Sequence, residues 1–154
     1  MSRSEKIAKS NFNPKQREIR RVEDPESIMQ MHPSWNFSRR DKDGAWAFSK
    51  ERAHSEFWDS ILPRIISLES QTWSNILIES KKSNHSIPIA DLNKCATDRL
   101  RYLGVDQESL VSISIDGTHR LYGFLSGSTY VLLWYDDDHG DNNTCVCRCV
   151  KKHT

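Results

Sequence analysis

No run of this chain comes near the ~18 consecutive apolar residues that a membrane helix needs, so nothing in it reads as a transmembrane span. The opening stretch MSRSEKIAKSNFNPKQREIRRVED has no apolar core of the kind a secretory signal carries, and the simplest expectation is a cytoplasmic protein. A dominant charge is missing too. Lys and Arg number 22 against 21 Asp and Glu, a formal net charge of +1, which excludes a protein that coats nucleic acid by bulk charge alone. There is also no C-x2-C pair. Cys145, Cys147 and Cys149 alternate in CVCRCV and Cys95 stands alone, which is not the spacing of a zinc ribbon. Alternation reads first as three small residues on one face of a terminal strand, with a metal or redox role as the other possibility.

What is present fits one domain with one core at 154 residues. The first 30 residues stand apart. Through Val22 they carry seven Lys or Arg against two Glu, with little apolar surface to offset the entropy of ordering. They read as a mobile basic arm, either a solvated tail or a contact to RNA or a partner protein. Residues 31–154 then form the domain proper.

Its first part is mainly helical in pattern. Trp35, Phe37, Trp46 and Phe48 flank a D-K-D-G turn, as in a short hairpin or an aromatic-anchored loop. From Ser49, a candidate N-cap, apolar residues fall at 53, 57, 58, 61, 62, 65 and 66, one face of a helix that Pro63 should kink or break near Leu62. A short helix starts at Thr72. Another covers 90–103, with Leu92, Cys95, Leu100 and Leu103 inward and Gly104 as its left-handed stop. The five tryptophans read as core packing before they read as a base-stacking platform.

Past Gly104 the apolar period changes from 3.6 to 2. Strands are expected over 109–115, 118–125 and 128–135, joined by turns at Asp116-Gly117 and Ser126-Gly127, with CVCRCV as a plausible fourth. STYVLLWYD is nearly all apolar, as in a strand covered on both faces. The expected architecture is α+β: an antiparallel meander of about four strands with the helices packed on one face.

The order of helices followed by LVSISIDGTHRLYGFLSGSTYVLLWYDDDH resembles the core of the RelE/ParE toxin superfamily, in particular its YoeB- and HigB-like branches. The matching residues are His119-Arg120-Leu121 opening a strand, Tyr130 to Trp134 in the buried strand, and His139 just past its end. The resemblance covers roughly residues 90–145. The wider span from PSW through QTWSNIL to LLWYDDDH also resembles a set of bacterial and phage-borne proteins.

That resemblance implies a toxin that cleaves mRNA at the ribosome by 2′-hydroxyl attack on the adjacent phosphate, held by a cognate antitoxin and needing no cofactor. Arg120 would take the phosphate, because a guanidinium is planar, charged and bidentate. His139 would serve the leaving oxygen as acid. His119 or Tyr130 would position the nucleotide by stacking, and Ser112 and Ser114 are the polar residues on the preceding strand. The alternative is a non-catalytic interaction protein that kept the sheet, or an inhibitor of another target such as gyrase. The acidic rim Asp136 to Asp138 with Asp141 favours that alternative, since it repels an RNA backbone. At single residues, Arg120 reads equally as a rim residue paired with Asp136 or Asp138, and His139 as a loop histidine. DDDHGD offers metal ligands without the spacing of a calcium loop.

Overall fold

A computed structural model describes residues 25–139 and 145–147. The chain forms α1 (Pro25–Met29), β1 (Ser34–Asn36), α2 (Lys50–Glu56), a π-helical turn (Phe57–Ile61) leading directly into α3 (Leu62–Glu69), a second π-helical turn (Asn75–Glu79), β2 (Asn84–Pro88), α4 (Lys94–Leu103), β3 (Ser109–Ser114), β4 (Arg120–Ser126) and β5 (Thr129–Asp136). The class is α+β. Among the described residues no helix is long and apolar enough to cross a membrane.

The sheet has five strands in the order β1-β5-β4-β3-β2. The meander β3-β4-β5 is antiparallel as expected, but two edge strands extend it. β1 runs parallel to β5, with Trp35 opposite Tyr130, so the sheet is mixed. CVCRCV does not supply a strand in its described part: Cys147 makes one isolated bridge to Leu92, and Val146 and Cys147 share one core cluster instead of facing opposite ways.

The helices lie on both faces, against the expectation of one. β5 shows why. Tyr130, Leu132 and Tyr135 pack with Ile61, Ile65, Leu68 and Trp73, whereas Val131, Leu133 and Trp134 pack with Leu92, Ala96 and Leu100 of the α4 side. A strand apolar on both sides needs cover on both sides. Leu133 is the extra residue of a β-bulge, since Tyr122 pairs with Trp134 and Gly123 with Leu132. Its carbonyl, freed from the ladder, accepts Asp41 N at 2.8 Å. A Cβ at Gly123 would run into the Val131 carbonyl and the Tyr130 ring, so the bulge requires glycine there.

Pro63 does not break the long helix. It sits in the first turn of α3, just after the π-turn, where Leu62 N bonds to Phe57 O. A wider turn removes the need for the amide that proline lacks. Thr72 opens the next helical turn by a reciprocal cap: Asn75 N donates to its Oγ1 at 3.2 Å, and Thr72 N donates to Asn75 Oδ1 at 3.0 Å. Gly104 ends α4 in the left-handed conformation, φ 71°, as expected. α4 starts at Lys94, so Ala96, Leu100 and Leu103 form its inner stripe and Cys95 is exposed.

Ile28 and Met29 pack against the core, so the expected arm is docked by this point; its basic part, through Val22, lies outside the described residues. Residues 140–144 and 148–154, including Asp141 and Cys149, lie outside them too.

Candidate functional site

Period-2 geometry puts Arg120 and Tyr122 of β4 on one face, with Ser112 of β3 opposite Tyr122 and Asp136 of β5 opposite Arg120. Beyond β5 the chain turns back over this face. Asp138 N caps Asp136 Oδ1 at 3.0 Å, and His139 N donates to Thr118 O at 2.8 Å, which fastens the loop to the start of β4. His139 Nδ1 then lies 3.4 Å from Tyr122 Oη and 3.2 Å from Cys145 Sγ. Cys145 is held from the other side: Asn93 Nδ2 donates to its carbonyl, Asn93 N donates to Val146 O at 2.9 Å, and Val146 N donates to Asp136 Oδ2 at 3.2 Å. Asp136, His139 and Cys145 thus bring one ligand-type atom each within 4.8 Å of one another, and all three are metal-binding residue types.

The setting is largely dry. Cys145 and Tyr122 are fully buried and Asp136 nearly so. Asp136 also lines a cleft of about 270 Å³ with Trp46, Cys95 and Asp138. Burial pushes the Asp136 carboxyl above its usual range, opposed by hydrogen bonds from Asp138 N, Val146 N and the Cys145 thiol. Burial, with Cys145 and Asp136 nearby, drives the Tyr122 phenol far above its ordinary value, so it stays neutral.

The expected catalytic set is divided by the fold. Arg120 and His139 do share a face, linked through Ser112 and Tyr122. Yet Arg120 Nη1 donates to Ser83 O at 3.0 Å and to Ser112 Oγ at 3.2 Å, and Ser112 is fully buried. His119 lies on the opposite face. Its ring stacks on Tyr135 at 6.0 Å, and its Nδ1 meets Asp116 at 2.7 Å. Tyr130 is fully buried on that side and donates to Val111 O at 2.8 Å, which closes it to nucleotide stacking. Ser114 Oγ donates to Asp116 O in the turn. The acidic rim is not a single field either: Asp137 pairs with Arg52 at 2.8 Å, while Asp136 points into the cluster.

The sequence does not single out Tyr122 and Cys145 as partners of His139. A tyrosine one residue beyond Arg120-Leu121 carries a signal only once its face is known, and Cys145 reads as strand filler in CVCRCV. Trp58 departs from the core reading of the tryptophans, being 64% exposed.

These features define a mixed-sheet α+β domain with an Asp-His-Cys cluster at one end of β5. Comparison of the chain with family models, curated proteins and solved structures finds no match.

Proposed function

We propose that this chain is a RelE/ParE-like interaction domain that acts by binding a protein target, in the manner of an inhibitor, and not by cutting RNA. The observation that carries this reading is the outer side of the α2–α3 helix. Trp58 is 64% exposed and Ile66 is 56% exposed there, beside a cleft of about 250 Å³ lined by Arg40, Phe48, His54 and Trp58. Exposed tryptophan next to arginine and aromatic walls is the composition of an interface hot spot. The commitments of Arg120, Ser112 and Tyr130 inside the fold argue the same way.

A second reading, the endoribonuclease, draws support from one observation: Arg120 and His139 flank Tyr122 on a single face. Induced expression in bacteria separates the two. The expected result is growth arrest with intact mRNA, relieved by Trp58→Ala and not by Arg120→Ala or His139→Ala. Cleaved mRNA, restored to full length by both of the latter variants, establishes the nuclease instead. Unimpeded growth removes both readings.

A further inference from the structure

We propose that Asp136, His139 and Cys145 form a three-ligand site for a divalent transition metal, with zinc the ion best matched. This inference does not depend on the identity of the binding partner.

The donor set decides the class of ion. A thiolate with an imidazole selects zinc and its neighbours, while magnesium and calcium prefer oxygen alone. Spacing agrees. Zn–S near 2.3 Å and Zn–N or Zn–O near 2.1 Å put the donors of one tetrahedral centre roughly 3.3–3.7 Å apart. Cys145 Sγ and His139 Nδ1 are 3.2 Å apart, and no pair in the triad exceeds 4.8 Å. Small side-chain adjustments therefore close the site.

Charge agrees as well. Binding releases the Cys145 thiol proton to solvent, so a carboxylate and a thiolate face the dication and the buried centre becomes neutral. The ligands are also held from behind. Both Asp136 oxygens accept backbone amides, from Asp138 and Val146, and Asn93 fixes the Cys145 backbone. Such outer contacts orient metal ligands. Tyr122 Oη stands 3.4 Å from His139 Nδ1 and walls the cluster on the β4 side. Three protein ligands leave a tetrahedral zinc ion one position for water or an exogenous ligand.

The test uses the full chain and cobalt(II) as the probe, titrated and then displaced by zinc. The expected result is about one equivalent bound, with a thiolate-to-cobalt charge-transfer band and strong tetrahedral d–d absorption. Cys95→Ser should leave the spectrum intact. Cys145→Ser should lose the charge-transfer band. His139→Ala, a change in a half-buried loop residue, should weaken binding more than about 100-fold with the far-UV spectrum unchanged, which keeps the test decisive if the buried cysteine variant does not fold. A folded wild-type chain that takes up no cobalt overturns the proposal. So does a charge-transfer band that survives His139→Ala at full strength, or one that disappears with Cys95→Ser.

Discussion

Asp41 and Arg99, 58 positions apart in the chain, meet in a two-pronged ion pair: Arg99 Nε and Nη2 each donate to a different Asp41 oxygen at 2.8 Å. Asp41 is almost wholly buried and also accepts Trp134 Nε1 at 3.0 Å. The pair therefore ties the loop before α2, the α4 helix and β5 into one unit. Arg99→Ala should cost about 3 kcal/mol in urea unfolding, because it strands a buried carboxylate. A loss under about 1 kcal/mol would show that Trp134 and water suffice to satisfy Asp41.

The same pair sets a pH dependence. Burial alone would raise the Asp41 pKa, but the Arg99 and Trp134 hydrogen bonds, the Asp43 amide and the Arg99 charge together hold it below the usual carboxylate range. With the folded pKa lowered, the unfolded chain binds the proton first. The resulting stability is present above about pH 4 and is lost as pH falls through the folded value. Asp41→Asn should flatten the acid limb of the stability curve; identical limbs for the two proteins would remove Asp41 as the source.

Gly123 faces the Val131 carbonyl across the β4–β5 bulge with no room for a methyl group. Gly123→Ala should destabilise by more than about 2 kcal/mol through forced backbone movement between two central strands. Calorimetry reads this directly, and a change within about 0.5 kcal/mol would mean that the bulge relaxes freely.

Trp58 should separate binding from folding. Its indole touches Phe57 edge-on but stays mostly in solvent, so Trp58→Ala should shift stability by no more than about 0.5 kcal/mol. Loss of the growth arrest in that variant, with its melting temperature preserved, is the expected pairing. A large fall in melting temperature would instead make Trp58 part of the core.

Metal removal offers a stability readout for the Asp136-His139-Cys145 cluster. An ion bound only by the native state stabilises it by mass action, about 2.7 kcal/mol at a free concentration of 100 Kd. Chelation should therefore lower the melting temperature of the zinc-loaded wild type and leave His139→Ala unmoved. Equal shifts in both proteins would point to an effect elsewhere in the chain.

Much of the fold follows from local pattern. The change of apolar period at Gly104 and the turns at 116–117 and 126–127 place β3, β4 and β5 within a residue or two of their observed ends. Two-residue alternation and turn chemistry act over neighbouring residues, so they are written in the sequence. The unbroken apolar run of β5 calls for cover on both faces, but the expected packing of the helices on one face does not follow that signal, and which helix lies on which face is not legible in the sequence. A uniform 3.6 residues per turn would place Trp58 and Ile66 on the apolar face of the α2–α3 helix. The π-turn at Phe57–Ile61 shifts that phase, leaving Ala53, Ile61, Ile65 and Leu68 inward and Trp58 and Ile66 outward.

The tertiary structure alone decided the edges of the sheet and the composition of the site. β1 and β2 are short strands recruited by pairing with β5 and β3, and a three-residue or five-residue segment has no periodicity to read. The sequence alone could nominate His139 and Arg120, because their chemistry is intrinsic to their side chains. It could not assign Tyr122 and Cys145 to His139, or His119 to the opposite face. Those assignments depend on strand register, on a loop fastened by His139 N to Thr118 O, and on Asn93 holding residues 145–146 from another element. Each is a long-range contact between segments with no local pattern in common, so the determinants are spread over the whole chain.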